Sequence, residues 1–178
     1  GAGGVGGYFG ARLAQAGHDV GFVARGRHLA ALRERGLAVR SALGDVNLAR
    51  PAATDDPAAL PPADIVFFTV KLWDTESAAE ALRPLLARGG VIVPFQNGVD
   101  SIERIGAVVG AERVMGGVAQ IAATIAEPGV IAQTGTMAKL RFGPVLPAQR
   151  PAAEALLAAC REAGIDAELV ADIRLALW

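Results

Sequence analysis

The chain opens with glycines at fixed intervals, Gly1-x-Gly3-x-x-Gly6, inside the run GAGGVGGYFG. Glycine at these three places allows a tight turn, then close approach of the main chain to a bulky anion, then close packing of a helix on a strand. A helix starting directly after the loop aims unpaired N–H groups and the positive end of its dipole at that anion. With 22 glycines in 178 residues such spacing also arises by chance, so context decides. Tyr8 to Ala16 carries Phe9, Leu13 and Ala16 on one predicted helical face, and Gly17 fits its stop. Val20 to Ala24 follows as an apolar strand. Loop, helix and strand in this order form the arrangement that holds the pyrophosphate of a dinucleotide.

In such a unit the end of the second strand, about 20 residues past the glycines, faces the adenosine ribose, and a carboxylate there selects NAD. This chain has Arg25 at that place, followed by Gly26 and Arg27. A guanidinium pairs with a 2′-phosphate through two charge-assisted hydrogen bonds, which points to NADP. Two further strand ends are chemically loaded. Ile65 to Val70 is a near-continuous apolar run that ends at Lys71-Leu72-Trp73, and Val91 to Phe95 ends at Gln96-Asn97-Gly98-Val99. Ligands of open α/β sheets bind beyond the carboxyl ends of the strands. Lys71 therefore offers a cation to a phosphate, ribose or carboxylate, and Asn97 an amide donor and acceptor, on the same edge as the glycine loop. A solvated lysine and a plain Asn-Gly turn are the structural alternatives.

The elements between these tips set the fold class. A short helix is expected over His28–Arg35, a small hairpin from Leu37–Arg40 and Val46–Ala49 around Gly44-Asp45, and a helical turn at Asp55-Asp56-Pro57. Thr75–Ala87 and Ser101–Val109 read as helices, Arg113–Met115 as a short strand, and Gly116–Ala123 as a small-residue stretch. Gly129–Gln133 and Lys139–Phe142 read as two strands joined by Thr134-Gly135-Thr136, Pro147–Gly164 as a helix, and Ile165–Val170 as a last strand. Alternation of strand and helix predicts an α/β protein, a Rossmann-like, doubly wound and mostly parallel sheet.

The 17 Lys and Arg balance 18 Asp and Glu, so no basic excess suggests nucleic acid as a partner, and no apolar run reaches membrane-spanning length. Cys160 is the single cysteine, in an apolar helical stretch, and is expected to be a buried structural thiol in a reducing, cytoplasmic setting. No zinc-ligand cluster and no serine or cysteine triad is visible, and no metal is expected. His18 and His28 fall in turn and surface contexts where no chemistry is expected of them. The chain begins on the glycine loop, without the strand that ordinarily precedes it, and stops at Trp178 inside a helix that starts near Asp172. It is expected to be part of a longer protein. Residues 1–170 would be an NADP-binding domain lacking its first strand, and residues 171–178 the start of a C-terminal helical domain.

The chain resembles the 2-dehydropantoate 2-reductase (ketopantoate reductase) family over essentially its whole length. The resemblance rests on GAGGVGG (Gly1–Gly7), Arg25, TVKLWDT (Thr69–Thr75), QNGVD (Gln96–Asp100), VMGGVAQIAA (Val114–Ala123) and DIRLALW (Asp172–Trp178). The lysine strand end and the Asn-Gly turn, at this spacing and followed by VMGG, are its specific part. It implies NADPH-dependent reduction of 2-dehydropantoate to (R)-pantoate, a step towards pantothenate and coenzyme A. By position, Gly1, Ala2, Gly3, Gly4, Val5 and Gly6 would cradle the pyrophosphate, and Arg25 would hold the 2′-phosphate. Lys71 would contact the cofactor, and Asn97 would bridge cofactor and substrate as the catalytic-site residue of this chain. Ala122 would touch the nicotinamide ribose through its backbone. The resemblance also implies a proton-donating lysine shortly beyond Trp178, so the chain alone is expected to bind cofactor without turnover. A reductase of another small 2-keto acid and a non-catalytic NADP-binding module are the alternatives. Oligomeric state is not legible from these residues.

Overall fold

A computed structural model describes residues 1–176; Leu177 and Trp178, and with them the anchor for the expected donor-bearing helix, lie outside the described residues. In chain order the elements are α1 (Gly4–Gln15), β1 (Gly21–Val23), α2 (Gly26–Arg35), β2 (Leu37–Arg40), β3 (Val46–Leu48), β4 (Ala52–Thr54) and β5 (Ile65–Phe68). There follow α3 (Thr75–Ala81), β6 (Val91–Pro94), α4 (Ser101–Val109), β7 (Gly116–Glu127), β8 (Val130–Gly143), α5 (Arg150–Glu162), β9 (Asp166–Leu169) and α6 (Ile173–Ala176).

The strands pair in three groups. β1 runs parallel to β4, and β5 parallel to β6, whose outer edge is met by a single parallel bridge between Ile92 and Val114. The third group has the order β3-β2-β8-β7, with β9 also alongside β8. Within it β2–β3 and β7–β8 are antiparallel, while β2–β8 and β8–β9 are parallel. The fold is thus α/β and mostly parallel, with a long antiparallel hairpin added. Gly1 and Ala2 lie between the first two groups: Ala2 N–H donates to the Val23 carbonyl (2.8 Å), and the Thr69 hydroxyl to the Gly1 carbonyl (2.7 Å).

The buried apolar side chains form two cores. One core joins Phe9 and Leu13 of α1, Leu32 of α2, and Leu156 and Cys160 of α5 to Phe22, Val39, Ile131 and Phe142 of the strands. A second joins Phe68 and Ile92 to Ala79 of α3 and to Ile102, Ile105 and Val109 of α4. Cys160 is buried, and burial pushes its thiol up to about 12, the inert structural cysteine expected from its surroundings.

Several elements depart from the sequence expectations for local reasons. Helix α1 begins at Gly4, not Tyr8, because its glycines are packing positions: a Cβ on Gly10 would strike the Phe22 ring, and one on Gly7 the Ile131 side chain. The helix expected to reach Ala87 stops at Ala81. Pro84 has no N–H to continue the ladder, and Arg83–Leu86 tightens into a 3₁₀ turn. Strand β4 was not visible in Ala52–Thr54, three short residues beside a proline. Arg113–Met115 is not a strand but the end of a 3₁₀ turn followed by one bridge, pinned by the buried Gln149, whose Nε2 donates to the Val114 carbonyl (2.8 Å). The small-residue stretch is the first half of β7. Gly117 leaves room for the Phe95 ring, and Gly116 for Ile173.

The two strands expected at Gly129–Gln133 and Lys139–Phe142 are one strand, β8, with a bulge. Ile121 pairs with Ala138 and the next residue, Ala122, with Thr134, so Gly135–Met137 are extruded. The buried Gln133 holds the bulge, donating to the carbonyls of Thr134 (2.8 Å) and Gly135 (3.1 Å) and accepting from the Ser41 hydroxyl (2.6 Å).

Candidate cofactor cleft

The glycine loop leads straight into α1. Gly3 is the residue before the first turn and offers no side-chain cap, and no acidic residue occupies that turn. The leading N–H groups of the helix are therefore left for an outside acceptor, at the positive end of the helix dipole. The three glycines divide the labour as their spacing suggests. A Cβ on Gly6 would overlap the Gly1 carbonyl and crowd the Thr69 hydroxyl, so Gly6 closes the loop. A Cβ on Gly3 would meet nothing within 4 Å, so Gly3 faces open space, where a phosphate can come close to the main chain. Gly4, outside the GxGxxG count, has its own reason: a Cβ there would overlap the Ala123 carbonyl of β7.

Arg25 stands at the carboxyl end of β1 and precedes α2. It is exposed, and among the described residues neither it nor Arg27 has an ion-pair partner. Lys71 lies three residues past the end of β5, exposed, with extended backbone ahead of the turn Leu72–Asp74. Asn97 follows β6, exposed, before Gly98 at φ +100°, a conformation that favours glycine. Ala122 is exposed on β7, at the bulge and one residue before the carbonyl that packs on Gly4.

Three contacts gather these positions along one rim. The Ala2–Val23 bond brings the loop beside β1, which leads to Arg25, and the Thr69–Gly1 bond brings it beside the end of β5, which leads to Lys71. Gln96 joins the last two tips: its Nε2 donates to the Val70 carbonyl (2.9 Å) and the Thr75 hydroxyl (3.2 Å). Gln96 was visible only as a member of a motif. Its bridging role follows from the parallel pairing of β5 with β6, which no local pattern states. Arg104 of α4 was not singled out at all. It forks onto Glu76 (2.7 and 2.9 Å) and also donates to the Leu72 carbonyl (2.9 Å), bracing the loop behind Lys71. The Arg104 guanidinium holds the Glu76 carboxyl below the usual carboxylate range.

The histidines part company. His18 lies 3.2 Å from the Glu162 carboxylate at the far end of α1, remote from the rim. His28, expected to be an idle surface residue, is half-buried and bonded through both ring nitrogens, to Ala2 (2.9 Å) and Gly129 (3.1 Å). Among the described residues no group of three or more His, Cys, Asp or Glu is placed to hold a metal ion, and no helix is long and apolar enough to cross a membrane.

Parallel strand pairs, a glycine loop opening α1 and polar strand tips on one edge define a Rossmann-like α/β fold. Residues 1–147 match the family described as Ketopantoate reductase PanE/ApbA, and the chain belongs to that family. A 2-dehydropantoate 2-reductase of Archaeoglobus fulgidus is 38% identical over 181 residues, covering 100% of this chain and 57% of the relative. The crystal structure of 2-dehydropantoate 2-reductase from Geobacter metallireducens superposes with a TM-score of 0.92 at 35% identity, over 100% of this chain and 58% of that one. A D-mandelate dehydrogenase solved with NADH and anilino(oxo)acetate shares the fold, with a TM-score of 0.88 at 21% identity over 99% of this chain and 57% of that one. The chain spans about half the length of the curated relatives it matches.

Proposed function

We propose that this chain is the cofactor-binding part of an NADPH-dependent 2-dehydropantoate 2-reductase, acting in the cytoplasm on the route to pantothenate and coenzyme A. The observation that carries this reading is the open face of Gly3 at an uncapped helix N-terminus, with the unpaired Arg25 at the neighbouring strand end. The first suits a pyrophosphate, and the second suits the 2′-phosphate that distinguishes NADP from NAD. When bound, the reduced nicotinamide supplies a hydride to the keto carbon of the substrate.

Each residue of the chain then has a task. Gly1, Ala2, Gly3, Gly4, Val5 and Gly6 wrap the pyrophosphate with main-chain amides. Arg25 forks onto the 2′-phosphate. Lys71, at the tip of β5, supplies positive charge to the cofactor and not a proton to the substrate. Asn97 offers its amide to both cofactor and keto acid, which orients the carbonyl for attack. Ala122 presents backbone at the β8 bulge, on the side of the cleft formed by β7. The acid that protonates the developing alkoxide, and the groups that choose the keto acid, belong to the length that the relatives have beyond this match. Residues 1–170 act as the NADP-binding domain, and α6 as the start of the next.

Two measurements test the reading. Titrating the chain with NADPH and with NADH is expected to show at least about tenfold tighter binding of NADPH, about 1.4 kcal/mol. Equal affinities would remove the 2′-phosphate role of Arg25. The second is turnover of 2-dehydropantoate with NADPH by a chain extended to the full length of its relatives. Tight NADPH binding with turnover only of a different 2-keto acid would keep the cofactor assignment and replace the substrate.

A further inference from the structure

The imidazole of His28, near the start of α2, reaches two other parts of the molecule. Its Nδ1 accepts a hydrogen bond from the main-chain N–H of Gly129 at the β7–β8 turn (3.1 Å), and its Nε2 lies 2.9 Å from the Ala2 carbonyl. A main-chain N–H only donates and a carbonyl only accepts, so Nδ1 is bare and Nε2 carries the proton. The ring is the neutral Nε2–H tautomer, and burial supports that form by lowering its pKa. Both ring nitrogens are committed, which leaves no free site for acid–base work and excludes a catalytic part for the ring itself.

The bond to Ala2 falls at the point of the loop where the main chain must face a ligand. Peptide groups are planar, and those of the described residues are all trans, so the carbonyl of Ala2 and the N–H of Gly3 point in opposite directions. Holding the carbonyl towards α2 turns the Gly3 amide away from α2. That amide has no acceptor among the described residues, and the space beside Gly3 is open to 4 Å. On its other side Ala2 is held by its own N–H, which donates to the Val23 carbonyl (2.8 Å). Ala2 is thus held on both sides, through the N–H of the preceding peptide and the carbonyl of the following one, and the group that fixes the carbonyl is a side chain 26 residues away in sequence.

We propose that His28 is a positioning residue of the anion-binding loop: its Nε2–H anchors the Ala2 carbonyl so that the Gly3 amide faces the bound pyrophosphate. The proposal rests on the cofactor reading given above. The competing role is a purely structural staple, in which the bond that matters is the one from Gly129, joining α2 to the β7–β8 turn.

The two roles use different nitrogens and are separated by two conservative variants. Glutamine places an amide donor at about the reach of Nε2, whereas asparagine places an acceptor at about the position of Nδ1. The dissociation constant for NADPH is measured on the wild-type chain and on H28Q, H28N and H28A. In parallel, amide hydrogen exchange at Ala2, whose N–H donates to the Val23 carbonyl, is measured without ligand, and thermal melting confirms that each variant is folded. The expected result is that H28Q stays within about threefold of wild type. H28N and H28A bind about tenfold more weakly, the loss of one hydrogen bond, with faster Ala2 exchange. Wild-type affinity in H28N together with loss in H28Q would show the staple and overturn the proposal, as would unchanged affinity in all three. If H28A fails to fold, the H28Q–H28N pair carries the same comparison. If the wild-type chain does not bind NADPH, the cofactor reading falls separately. Loop anchoring is then judged on exchange alone: Ala2 protection kept in H28Q and lost in H28N supports it, and no difference between them overturns it.

Discussion

On the α1 side of the cleft the groups offered to a ligand are main-chain amides, held by Val23, Thr69 and His28 from three directions. On the β5–β6 side they are the side chains of Lys71 and Asn97, exposed and without a hydrogen-bonding partner among the described residues, on loops braced from behind by Gln96 and Arg104. The difference is one of preorganisation. Main-chain amides in a closed loop cost little further ordering when an anion arrives, whereas a lysine side chain loses rotamer freedom on being engaged. The first side is suited to rigid anchoring of a phosphate group. The second adapts to the part of the ligand that changes during a reaction, and keeps its precision only while its braces hold.

The sharpest way to break this comparison is to insert a methyl group on the rigid side. Gly6→Ala drives a Cβ into the Gly1 carbonyl, and backbone must move. It is expected to destabilise the fold by about 3 kcal/mol, read by denaturant unfolding, and to abolish NADPH binding. Gly3→Ala is the control, since its Cβ enters open space. Its unfolding is expected to stay within about 0.5 kcal/mol of wild type while NADPH affinity falls, because the clash arises only with the ligand. Equal loss of stability in both variants would mean that the loop is not divided into a packing glycine and a facing glycine.

Next in size is Arg25→Glu. The side chain is exposed, so stability should not change. NADPH affinity is expected to drop by about 2 kcal/mol, roughly thirtyfold, as a bidentate charged pair is replaced by repulsion, with little change for NADH. A similar loss for both nucleotides would assign Arg25 to general attraction and not to the 2′-phosphate.

The rigid side was the more legible in the sequence, and for the same physical reason. A requirement for no side chain leaves a trace in one place, and Gly1, Gly3 and Gly6 announce the loop without reference to the rest of the chain. The tips Lys71 and Asn97 were visible because each closes an apolar run. The supports were not. Gln96 reaches Val70 only because two strands 26 residues apart lie side by side, and His28 reaches Gly129 across 101 positions of sequence. The β8 bulge at Ala122 was misread as a turn between two strands because Thr134-Gly135-Thr136 has turn chemistry. The buried Gln133 holds the bulge through local bonds to Thr134 and Gly135 and one long-range bond from Ser41, which no local pattern states. Gly4 was counted as a variable position of the motif, though the β7 main chain requires it to be glycine.

Loosening the adaptive side should cost less than clashing the rigid one. Gln96→Leu keeps the volume and removes the donor to Val70 and Thr75. A loss of about 1 kcal/mol in unfolding free energy is expected, with faster amide exchange across residues 70–75 and NADPH affinity reduced less than in Arg25→Glu. Unaltered exchange in that segment would mean that Arg104 alone braces the loop.

The smallest expected effect concerns protons. The folded state lowers the pKa of His28, chiefly by burial, from its ordinary value near 6.5. A depressed value means that the unfolded chain takes up the proton first as pH falls. The stabilisation is therefore complete above pH 6.5 and is lost as pH drops through the folded value. The ring nitrogens face only backbone, the Ala2 carbonyl and the Gly129 N–H; Arg25 and Arg27 precede His28 on its own element, and Glu127 lies two residues before Gly129. Glu76 and Glu168 are held below the usual carboxylate range by Arg104 and by Lys139 with Arg141, so they titrate at lower pH and do not mask this window. Unfolding of the wild type is expected to become easier between pH 7 and about pH 5.5, a range set by the ordinary histidine value. In H28Q that slope is expected to flatten. An identical slope in both would place the titrating group elsewhere and would leave the rigidity of the glycine loop independent of pH across that range.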